Sequence, residues 1–309
     1  MGPATRVVVT GATGFVGSAL VAALREAGRP ITVLSRDADR ARAQLGDVTA
    51  ITADLQSAGA WTSALADTAA VVHLAGESIA GRRWDARQKQ RLRDSRVETT
   101  RVIVEAIAAL PAASRPRALI GTSGIDYYPF APDTEFDDDE VTERDEPGDS
   151  FLARLCRDWE AEARAAEGLG VRVAIMRTGF VLGPGGALAK MTTPFRLFVG
   201  GPIGSGRQWV SWIHVRDVAR GYLAAISDER YTGPINLVTA SARNAELSRA
   251  IAASVHRPSW LPVPGFALRV AIGELAEHAL HGRRVVPARL RALGFTWQYT
   301  ELAEAIAAS

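Results

Sequence analysis

The chain has 309 residues, of which 47% are hydrophobic and 23% charged, a composition typical of globular proteins. Its 36 basic and 34 acidic residues give a net charge of +2, which offers no reason to expect nucleic acid or an anionic membrane as a partner. No apolar run is long enough to span a bilayer. The single cysteine, Cys156, excludes an internal disulfide and favours a reducing compartment, so we expect a cytoplasmic protein.

Short apolar segments alternate with helical patterns through the first two thirds of the chain. Fully apolar strands of this kind are covered on both faces of a parallel sheet. The alternation therefore predicts an α/β fold with a doubly wound parallel sheet of the Rossmann type. We predict strands at residues 7–10, 31–34, 48–51, 70–74, 117–121 and 171–176. We predict helices at residues 16–27, 37–45, 61–65, 85–110 and 151–167.

The pattern changes after residue 178, where loop-forming glycine clusters occur at 183–186 and 200–206. We assign residues 1–178, with a contribution from 208–240, to the Rossmann domain. Residues 179–207 and 241–309 are assigned to a smaller C-terminal lobe for the substrate. This lobe is expected at the carboxyl edge of the sheet, where open α/β sheets bind ligands. The acidic stretch 133–149 is predicted to be an exposed loop, because like charges are costly to bury.

A glycine-rich turn, Gly11-Ala-Thr-Gly14-Phe-Val-Gly17, joins the first predicted strand to the first predicted helix. The first glycine permits a tight turn, the second lets a pyrophosphate approach the backbone, and the third admits close helix packing. The helix N-terminus offers free N–H groups and the positive end of a dipole to phosphates. The alternative is that the glycines serve packing alone. The residues of the turn predicted to contact a dinucleotide are Gly11, Thr13, Gly14, Phe15 and Val16.

The end of the second strand indicates which dinucleotide is bound. A site for NAD usually has Asp or Glu there to hold the ribose 2′-hydroxyl. This strand ends in Ser35 and Arg36, and a guanidinium suits a 2′-phosphate, so we predict NADP(H). Asp37 is one residue late and is expected to face the following helix, while Arg36 could instead be a solvated surface charge. Asp54 and Leu55, after the third strand, lie where the adenine is usually bracketed.

Several longer motifs add to this pattern. They are His73-Leu-Ala-Gly-Glu77, Arg177-Thr-Gly-Phe-Val-Leu-Gly183, Gly200-Gly-Pro-Ile-Gly-Ser-Gly-Arg-Gln208, Trp212-Ile-His214 and Gly282-Arg-Arg-Val-Val-Pro287. With the glycine turn and the Ser35-Arg36 pair, they make the chain resemble the atypical, extended short-chain dehydrogenase/reductase superfamily. Within it, the chain resembles the epimerase-family proteins of family 39U over nearly its whole length.

The resemblance implies further contacts with NADP(H), beyond those at Ser35 and Arg36. They fall at Leu74, Ala75, Arg96 and Val181. The residues support several of these, because Leu74, Ala75 and Gly76 end the fourth strand, where a turn of small residues lets the backbone pass over the ribose. From the sequence alone, Arg96 on a long helix would be taken for a solvated surface arginine.

The catalytic pair that the superfamily implies has no match in this chain. Superfamily enzymes use Tyr-x-x-x-Lys at the start of the fifth long helix, where the lysine lowers the pKa of the tyrosine. Here Phe151 or Leu152 stands in place of the tyrosine, and Leu155 or Cys156 in place of the lysine. The usual serine has a counterpart in Ser123, whereas the position of the usual asparagine is occupied by Arg96.

Other residues could supply the missing acid or base. Tyr127 and Tyr128 follow Ser123 closely, but they could equally form an aromatic wall of a pocket. Glu77 follows the fourth strand and could transfer a proton, bind a cation, or pair with a neighbouring arginine. The candidate catalytic residues are therefore Ser123, Tyr127, Tyr128 and Glu77.

The remaining ionisable residues receive weaker assignments. A structural hydrogen bond is favoured for His214, and Cys156 is expected to be buried and inert. No third ligand accompanies His278 and His281, so we predict exposed histidines and no metal. Three arginines are candidates for holding an anionic substrate, and the last of them lies in a glycine-rich loop suited to a moving lid. They are Arg177, Arg196 and Arg207.

Two functional hypotheses follow. The first is an NADP(H)-dependent oxidoreductase or isomerase with a non-standard acid or base, acting on a small substrate of unknown identity. The second is a non-catalytic NADP(H)-binding sensor, which the missing Tyr/Lys pair favours. The glycine-rich loop at 200–208 and the second lobe favour the first, and a vestigial fold is a third alternative. A homodimer through the helices at 85–110 and 151–167 is common among related proteins but does not follow from these residues.

Overall fold

The structure is a computed structural model that describes residues 5–130 and 138–309. Its main element is a seven-stranded sheet with the order β10-β7-β5-β4-β1-β2-β3, in which every neighbouring pair is parallel. The strands of the described residues are β1 (Val7–Thr10), β2 (Ile31–Ser35), β3 (Thr49–Thr52), β4 (Ala70–His73), β5 (Ala118–Gly124), β6 (Glu140–Val141), β7 (Arg172–Thr178), β8 (Phe180–Leu182), β9 (Trp209–His214), β10 (Gly233–Leu237), β11 (Ala240–Arg243) and β12 (Arg284–Val285).

Helices cover both faces of this sheet and also build the smaller lobe. The α-helices of the described residues are α1 (Phe15–Glu26), α2 (Ala38–Leu45), α3 (Ala86–Arg93), α4 (Thr99–Ala108), α5 (Phe151–Arg164), α6 (Gly186–Arg196), α7 (Val215–Ser227), α8 (Asn244–Ser254), α9 (Gly265–Ile272), α10 (Leu275–Leu280), α11 (Ala288–Ala292) and α12 (Leu302–Ala307). A π-helical turn, Asp94–Glu98, joins α3 to α4.

The central strand β1 shows why the sheet has two cores. Successive side chains of a strand point to opposite faces, so a strand covered on both sides must be apolar throughout. Val7 and Val9 pack in one core with Leu20 of α1, whereas Val8 packs in the other core with Ile103 of α4. The predicted doubly wound parallel sheet is confirmed.

The predicted elements are confirmed with small shifts of their ends. The largest difference lies in the helix predicted at 85–110, which the π-helical turn interrupts after Arg93. The short helix predicted at 61–65 is a 3-10 helix, Ala60–Leu65. The strand predicted at 117–121 extends to Gly124, because its last residues still pair with β7. The local pattern therefore gave the elements correctly, and tertiary pairing fixed their ends.

The smaller lobe has its own sheet, with the strand order β11-β9-β8. Its core includes Leu182 of β8, Trp212 of β9, Leu247 of α8 and Ile306 of α12. Within the segment 208–240 that we assigned to the Rossmann domain, α7 packs on α1 and β10 completes the large sheet, whereas β9 lies in the sheet of the smaller lobe. The chain therefore crosses between the two parts more than once.

The described acidic residues of the stretch 138–149 are exposed as predicted, with the exception of Glu143. Residues 133–137 lie outside the described residues, but the part from 138 onward forms β6, which pairs with β12. Glu143 is buried, and its carboxylate accepts the backbone N–H groups of Asn236 at 3.0 Å and Arg289 at 3.2 Å. Among the described acidic residues, the prediction of exposure was therefore wrong for Glu143 alone, because backbone donors from distant segments satisfy its carboxylate.

Two further features can be stated for residues 5–130 and 138–309. No helix there combines the length and the apolar character needed to cross a bilayer. In the same residues, no group of three or more His, Cys, Asp or Glu side chains is arranged to hold a metal ion.

Candidate functional site

The glycine turn lies at the carboxyl edge of the large sheet. Its first and third glycines are in close contact with neighbouring backbone atoms, whereas the second is not. Gly11 has a φ of +67°, and a Cβ there would lie 2.6 Å from the carbonyl carbon of Leu74. A Cβ on Gly17 would overlap the carbonyl oxygen of Gly11. At Gly14, by contrast, the one described atom within 4 Å of an added Cβ is the Gly11 oxygen, at 3.2 Å. The first and third glycines are thus required by packing, while the second leaves room for a ligand.

Helix α1 begins directly after this turn without a side-chain cap. Gly14 occupies the N-cap position; its carbonyl oxygen accepts the Ser18 N–H at 2.9 Å, but it has no side chain to cap the first N–H groups. The first N–H groups of a helix have no partner within the helix, so they are available to an anion. The ring of Phe15 packs against Gly186 at the start of α6, where a Cβ would lie 2.9 Å from its Cε1 atom. The turn therefore also contacts the smaller lobe.

The end of β2 presents one unpaired cation. The Ser35 hydroxyl donates to the Asp37 carbonyl oxygen at 2.9 Å, which holds the turn between β2 and α2. The carboxylate of Asp37 accepts the Arg40 N–H at 2.9 Å and so caps α2, as expected from its position in the sequence. Arg36 is exposed and has no hydrogen-bond or ion-pair partner within the described part of the chain.

The ends of β3 and β4 complete this edge. The Asp54 carboxylate accepts the Gln56 N–H at 3.0 Å, and Leu55 packs against the core below. After β4, the Ala75 N–H donates to the Thr10 hydroxyl at 3.2 Å, which ties the strand end to β1. Leu74, Val16 and Val181 are partly buried and pack against the other core of the sheet, the one that contains Val7 and Val9.

Arg96 is the residue whose position the sequence pattern least predicted. It lies in the π-helical turn, is buried, and its guanidinium carbon would be 3.2 Å from a Cβ at Gly76. Its Nη2 donates to the Glu77 carbonyl oxygen at 2.9 Å and its Nη1 to the Leu92 carbonyl oxygen at 3.2 Å. Burial lowers the pKa of Arg96, an effect opposed by the negative charges of nearby groups. The guanidinium is therefore a fixed positive charge beside the end of β4, in a type of helical turn that often marks functional sites.

Next to this site, His73 is buried between two threonine hydroxyls. Its Nδ1 lies 2.7 Å from the Thr10 hydroxyl oxygen and its Nε2 lies 3.2 Å from the Thr99 hydroxyl oxygen. Burial, assisted by the positive charge of Arg96, lowers the pKa of His73 to about 4. The imidazole is therefore neutral near pH 7, and it positions the end of β4 through the Thr10 hydroxyl.

Two of the candidate catalytic residues belong to a buried network around Arg177. The Arg177 guanidinium forms a bidentate ion pair with Glu160 of α5, with two N–O distances of 2.8 Å. The Ser123 hydroxyl donates to Glu160 at 2.7 Å, and Tyr128 donates to Asn236 at 2.7 Å while accepting from Arg177 at 2.9 Å. Burial raises the pKa of Tyr128 to about 12. Ser123 and Tyr128 thus hold the strand ends together, and neither hydroxyl is free.

This network also corrects the expectation for Arg177. We considered it a candidate for holding an anionic substrate, but its side chain is 2% exposed and its charge is paired with Glu160. Although burial lowers the pKa of Arg177, the hydrogen bonds and charge of Glu160 raise it further. Glu160 gave one signal in the sequence, because it is an acidic residue on the apolar face of α5, near Cys156 and Ala163. Arg196 and Arg207, the other two candidates, are exposed.

The start of α5 shows what replaces the usual catalytic pair. Ser150 caps the helix by accepting the Ala153 N–H at 3.1 Å, so the helix begins at Phe151 as predicted. Leu152, Leu155 and Cys156 are buried, and burial raises the pKa of the Cys156 thiol to about 12. This confirms the expectation that the cysteine is buried, and no proton-transferring side chain extends from this helix start.

A second polar group lies at the same strand end and was not predicted. His278 of α10 and Asp126 meet across the two lobes, with Nδ1 and Oδ1 2.8 Å apart. The His278 side chain is 11% exposed, and its ring packs edge-on against Phe130 and Trp84. The prediction of an exposed histidine was wrong, because α10 folds back onto the end of β5. The sequence held no signal for this pair beyond the two residue types.

Two further candidate residues, Tyr127 and Glu77, have polar side-chain atoms without a hydrogen-bond partner in the described residues. The Tyr127 ring stacks on the Arg177 guanidinium, with 3.4 Å between the guanidinium carbon and the ring centroid. Its hydroxyl has no hydrogen-bond partner among residues 5–130 and 138–309. The backbone of Glu77 is fixed by Ser95 and Arg96, but its exposed carboxylate is likewise unpartnered in these residues.

His214 has the structural role that its motif favoured. The ring lies at the N-cap of α7, where Nδ1 accepts the Arg216 N–H at 3.3 Å. It stacks on Tyr299, with the two ring centroids 3.9 Å apart. Since the residue is buried at the junction of β9 and α7, it fixes the second lobe rather than the candidate site.

Comparisons with known proteins agree with this geometry. Residues 7–237 match the NAD dependent epimerase/dehydratase family, and residues 263–309 match a domain of unknown function, DUF1731. The epimerase family protein SDR39U1 homolog of Arabidopsis thaliana is 39% identical, over 98% of this chain and 86% of that protein. The epimerase family protein YfhF of Bacillus subtilis is 33% identical, over 96% of this chain and 95% of that protein.

Solved structures give the same result. The crystal structure of human epimerase family protein SDR39U1 with NADPH has a TM-score of 0.84 and 34% identity, and 98% of each chain is covered. A nucleoside-diphosphate sugar epimerase from Corynebacterium glutamicum has a TM-score of 0.78 and 31% identity, over 99% of this chain and 58% of that one. The resemblance found in the motifs is therefore confirmed, and the chain belongs to the NAD dependent epimerase/dehydratase family.

Proposed function

We propose that the chain binds NADP(H) at the carboxyl edge of the large sheet and acts as an oxidoreductase or isomerase on a small substrate. The observation that carries the cofactor choice is Arg36, an exposed guanidinium without a partner in the described residues, directly after Ser35 at the end of β2. A ribose 2′-phosphate would supply the missing anion through charge-assisted hydrogen bonds. The human relative, which was crystallised with NADPH, supports this choice.

The residues present fit such a cofactor. Gly14 leaves space beside the uncapped start of α1, where a pyrophosphate would accept hydrogen bonds from the backbone. Leu74 directly follows β4 and Val181 lies in β8; both pack against the same core and would contact the ribose side. Arg96 is held in place by backbone carbonyl groups and would add a fixed positive charge beside Gly76. Asp54 and Leu55 would border the adenine.

The group around Asp126 would carry the proton transfer. Hydride chemistry is supplied by the nicotinamide when it is bound, so the protein has to orient the substrate and move a proton. The carboxylate of Asp126 holds the Nδ1–H of His278, which leaves Nε2 to accept or donate a proton. The alternative proton carriers are the free hydroxyl of Tyr127, next to Asp126, and the carboxylate of Glu77, which follows β4.

The proposal also covers the class of substrate, the cellular location and the oligomeric state. Arg207 is exposed in the smaller lobe and favours a small anionic substrate, whereas Arg196 lies at the end of α6 opposite the glycine turn. A cytoplasmic location agrees with the single reduced cysteine, Cys156. The homodimer through the helices at 85–110 and 151–167 stays a prediction.

A second candidate function is a non-catalytic NADP(H) sensor. The specific observation in its favour is the start of α5, where Leu152, Leu155 and Cys156 are buried and offer no acid or base. Ser123 and Tyr128 are also committed to the network around Arg177. A sensor would bind the cofactor with the same residues but would show no turnover.

Cofactor binding is tested by reversing the charge at Arg36. Arg36→Asp should weaken NADPH binding by well over about tenfold, because a carboxylate repels the 2′-phosphate, while NADH binding should weaken far less. Arg117→Asp is the matched control, since Arg117 is also exposed but precedes β5 at the opposite edge of the sheet. Affinities come from fluorescence titration of the purified protein. An unchanged NADPH affinity in Arg36→Asp contradicts the assignment.

Turnover is tested with a panel of carbonyl substrates and NADPH oxidation at several pH values. If the proposed enzyme is correct, at least one substrate is reduced, and His278→Gln lowers its kcat by about a hundredfold or more, as loss of a general acid does. His281→Gln, three residues later, is the matched control and should keep most of the activity. Tight NADPH binding without turnover across the panel favours the sensor.

A further inference from the structure

The smaller lobe contains an apolar cavity of about 210 Å³ between α6, α8 and α9. Its wall includes Met191 and Phe195 of α6, Ile251 of α8 and Leu268 of α9. For comparison, a cavity of about 150 Å³ lined by apolar side chains is large enough to bind benzene. This cavity is therefore large enough for part of a hydrocarbon chain, although it is too small for a whole drug-sized ligand.

The polar residues of the wall do not make the cavity polar. The side-chain oxygen of Asn244 accepts the Ile203 N–H at 2.8 Å. The Ser248 hydroxyl is 2.8 Å from the Ser259 hydroxyl. Because these oxygen atoms already have partners in the protein, a polar ligand group would gain little by entering, whereas an apolar group loses no hydrogen bonds.

The longest glycine motif of the sequence shapes this cavity. A Cβ at Gly200 would overlap the ring of Phe195, and a Cβ at Gly201 would overlap the carbonyl group of Leu261. Both glycines line the cavity. Their role here is close packing between α6 and the segment before α9, and not the binding of phosphate by a flexible loop.

Exposed apolar side chains lie next in sequence to wall residues of this cavity. Leu197, Phe198 and Val199 directly follow α6, and they are 66%, 53% and 48% exposed. Trp260 and Leu261 lie three and two residues before the wall residue Val263, and their exposures are 63% and 40%. The Trp260 Nε1–H donates to the Phe198 carbonyl oxygen at 3.1 Å, so the two segments form one surface. We call these five residues the apolar lip; patches of this kind on monomeric proteins usually mark binding sites.

The backbone at Phe198 adds an independent sign of function. Its φ is +62°, a left-handed conformation that glycine normally occupies after a helix. The N–H of Phe198 donates to the Phe195 carbonyl oxygen at 2.9 Å, and the N–H of Val199 donates to that of Pro194 at 3.0 Å. An exposed aromatic residue in this conformation is costly, and such outliers cluster at ligand-binding sites.

The charges around the lip are positive. The Arg257 guanidinium carbon lies 4.5 Å from the centroid of the Phe198 ring. Arg196 precedes the lip directly, and it has no acidic partner in the described part of the chain. The first two acidic residues that follow the lip in the sequence are already engaged, since Glu274 pairs with Lys89 and Glu277 pairs with Arg269. An apolar entrance bordered by cations complements a ligand with a hydrocarbon chain and an anionic head.

We propose that this cavity and the apolar lip bind the hydrocarbon chain of an anionic amphiphile of the fatty carboxylate type. The chain would enter between α6 and α9, and the carboxylate would remain outside near Arg196 and Arg257. The proposal does not depend on NADP(H) binding, because Phe15 of the glycine turn contacts the opposite end of α6.

The test is calorimetric titration of the purified full-length protein with hexanoate, octanoate, decanoate and dodecanoate below their micelle concentrations. We expect one site per chain. The affinity should rise by about fourfold for each added methylene and then level off once the cavity and lip are filled. A lack of binding, or affinity that keeps rising without saturation at one site, overturns the proposal.

A pair of variants on α9 locates the site. Leu268→Trp fills the cavity and should weaken decanoate binding by about tenfold or more, equivalent to the loss of two buried methylenes. Val270→Trp adds the same side chain on the exposed face of the same helix, outside the cavity wall, and should leave the affinity nearly unchanged. Thermal unfolding checks that both variants fold. Equal effects of the two substitutions overturn the assignment.

Two further experiments test whether the carboxylate of the ligand contributes to binding, and whether the ligand is a free amphiphile or a lipid in a membrane. Arg196→Glu combined with Arg257→Glu should weaken decanoate by about two- to fivefold and leave decanol unchanged, as expected for exposed ion pairs. Vesicles of phosphatidylglycerol should not sediment the protein. Binding to vesicles but not to free decanoate would assign the lip to a membrane surface, and a stable dimer that binds no decanoate would assign it to a second copy. Either result overturns the proposal.

Discussion

Two groups of polar side chains lie near the end of β5, and they differ in how many of their hydrogen-bonding atoms are used. Around Arg177, the ion pair with Glu160 and the hydroxyl of Tyr128 form a buried network. Around Asp126, the pair with His278 is partly exposed and keeps the imidazole Nε2 without a partner in the described residues. The difference teaches that a cluster of ionisable residues is a structural element when its atoms are paired, and a candidate for chemistry when some remain free.

The largest effect is expected from breaking the buried network. Glu160→Gln or Arg177→Met alone should reduce the free energy of unfolding by about 3–5 kcal/mol, because each leaves the other charge buried and unpaired. The combined variant, Glu160→Met with Arg177→Met, should recover more than half of that loss. Urea unfolding followed by circular dichroism measures all three. If the double variant is as unstable as the single ones, the cost comes from lost packing and not from an uncompensated charge.

The sequence pattern singled out Arg177 and His278, but it predicted the wrong role for each of them. The motif beginning at Arg177 suggested an anion-binding arginine, and His278 looked like an exposed helix residue. Partner choice decides these roles, and Asp126 and His278 are 152 residues apart in the chain. Periodicity reports which face of a helix is apolar, but it does not report which distant side chain meets that face.

A smaller effect on the free energy of unfolding is expected from His73. This residue is buried like the pair of Arg177 and Glu160, but its side chain is neutral near pH 7. Unfolded chains take up a proton near the ordinary pKa of 6.5, whereas the folded protein does so only near 4. Between these values the unfolded state binds more protons, so stability should fall by about 3 kcal/mol as the pH is lowered from 6.5 to 4.

The measurement is the free energy of unfolding against pH for the wild type and for His73→Asn. The variant should lack this part of the pH dependence, since its side chain does not titrate. His256→Asn is the control for replacing a histidine by asparagine, because His256 is exposed. An identical slope in the wild type and His73→Asn would contradict the assignment.

The smallest effect on the free energy of unfolding is expected for the partly exposed pair of Asp126 and His278. Asp126→Asn and His278→Gln should each change the free energy of unfolding by less than about 1 kcal/mol, because the Asp126 side chain is about one third exposed and such pairs contribute little. Urea unfolding under the same conditions as for Glu160→Gln gives the comparison. A loss as large as that of the buried pair would make Asp126 and His278 a structural latch between the lobes.

The sequence by itself determined the order of strands and helices, the position of the glycine turn, and the Ser35-Arg36 pair at the end of β2. These features depend on residues that are close in the chain, because a strand, a tight turn and a helix start are local structures. Only the tertiary structure decided that Arg177 is buried with Glu160, that His278 meets Asp126, and that the Gly200-Gly201 turn lines an apolar cavity. Each of these depends on which distant segments pack together, and local propensity does not specify that.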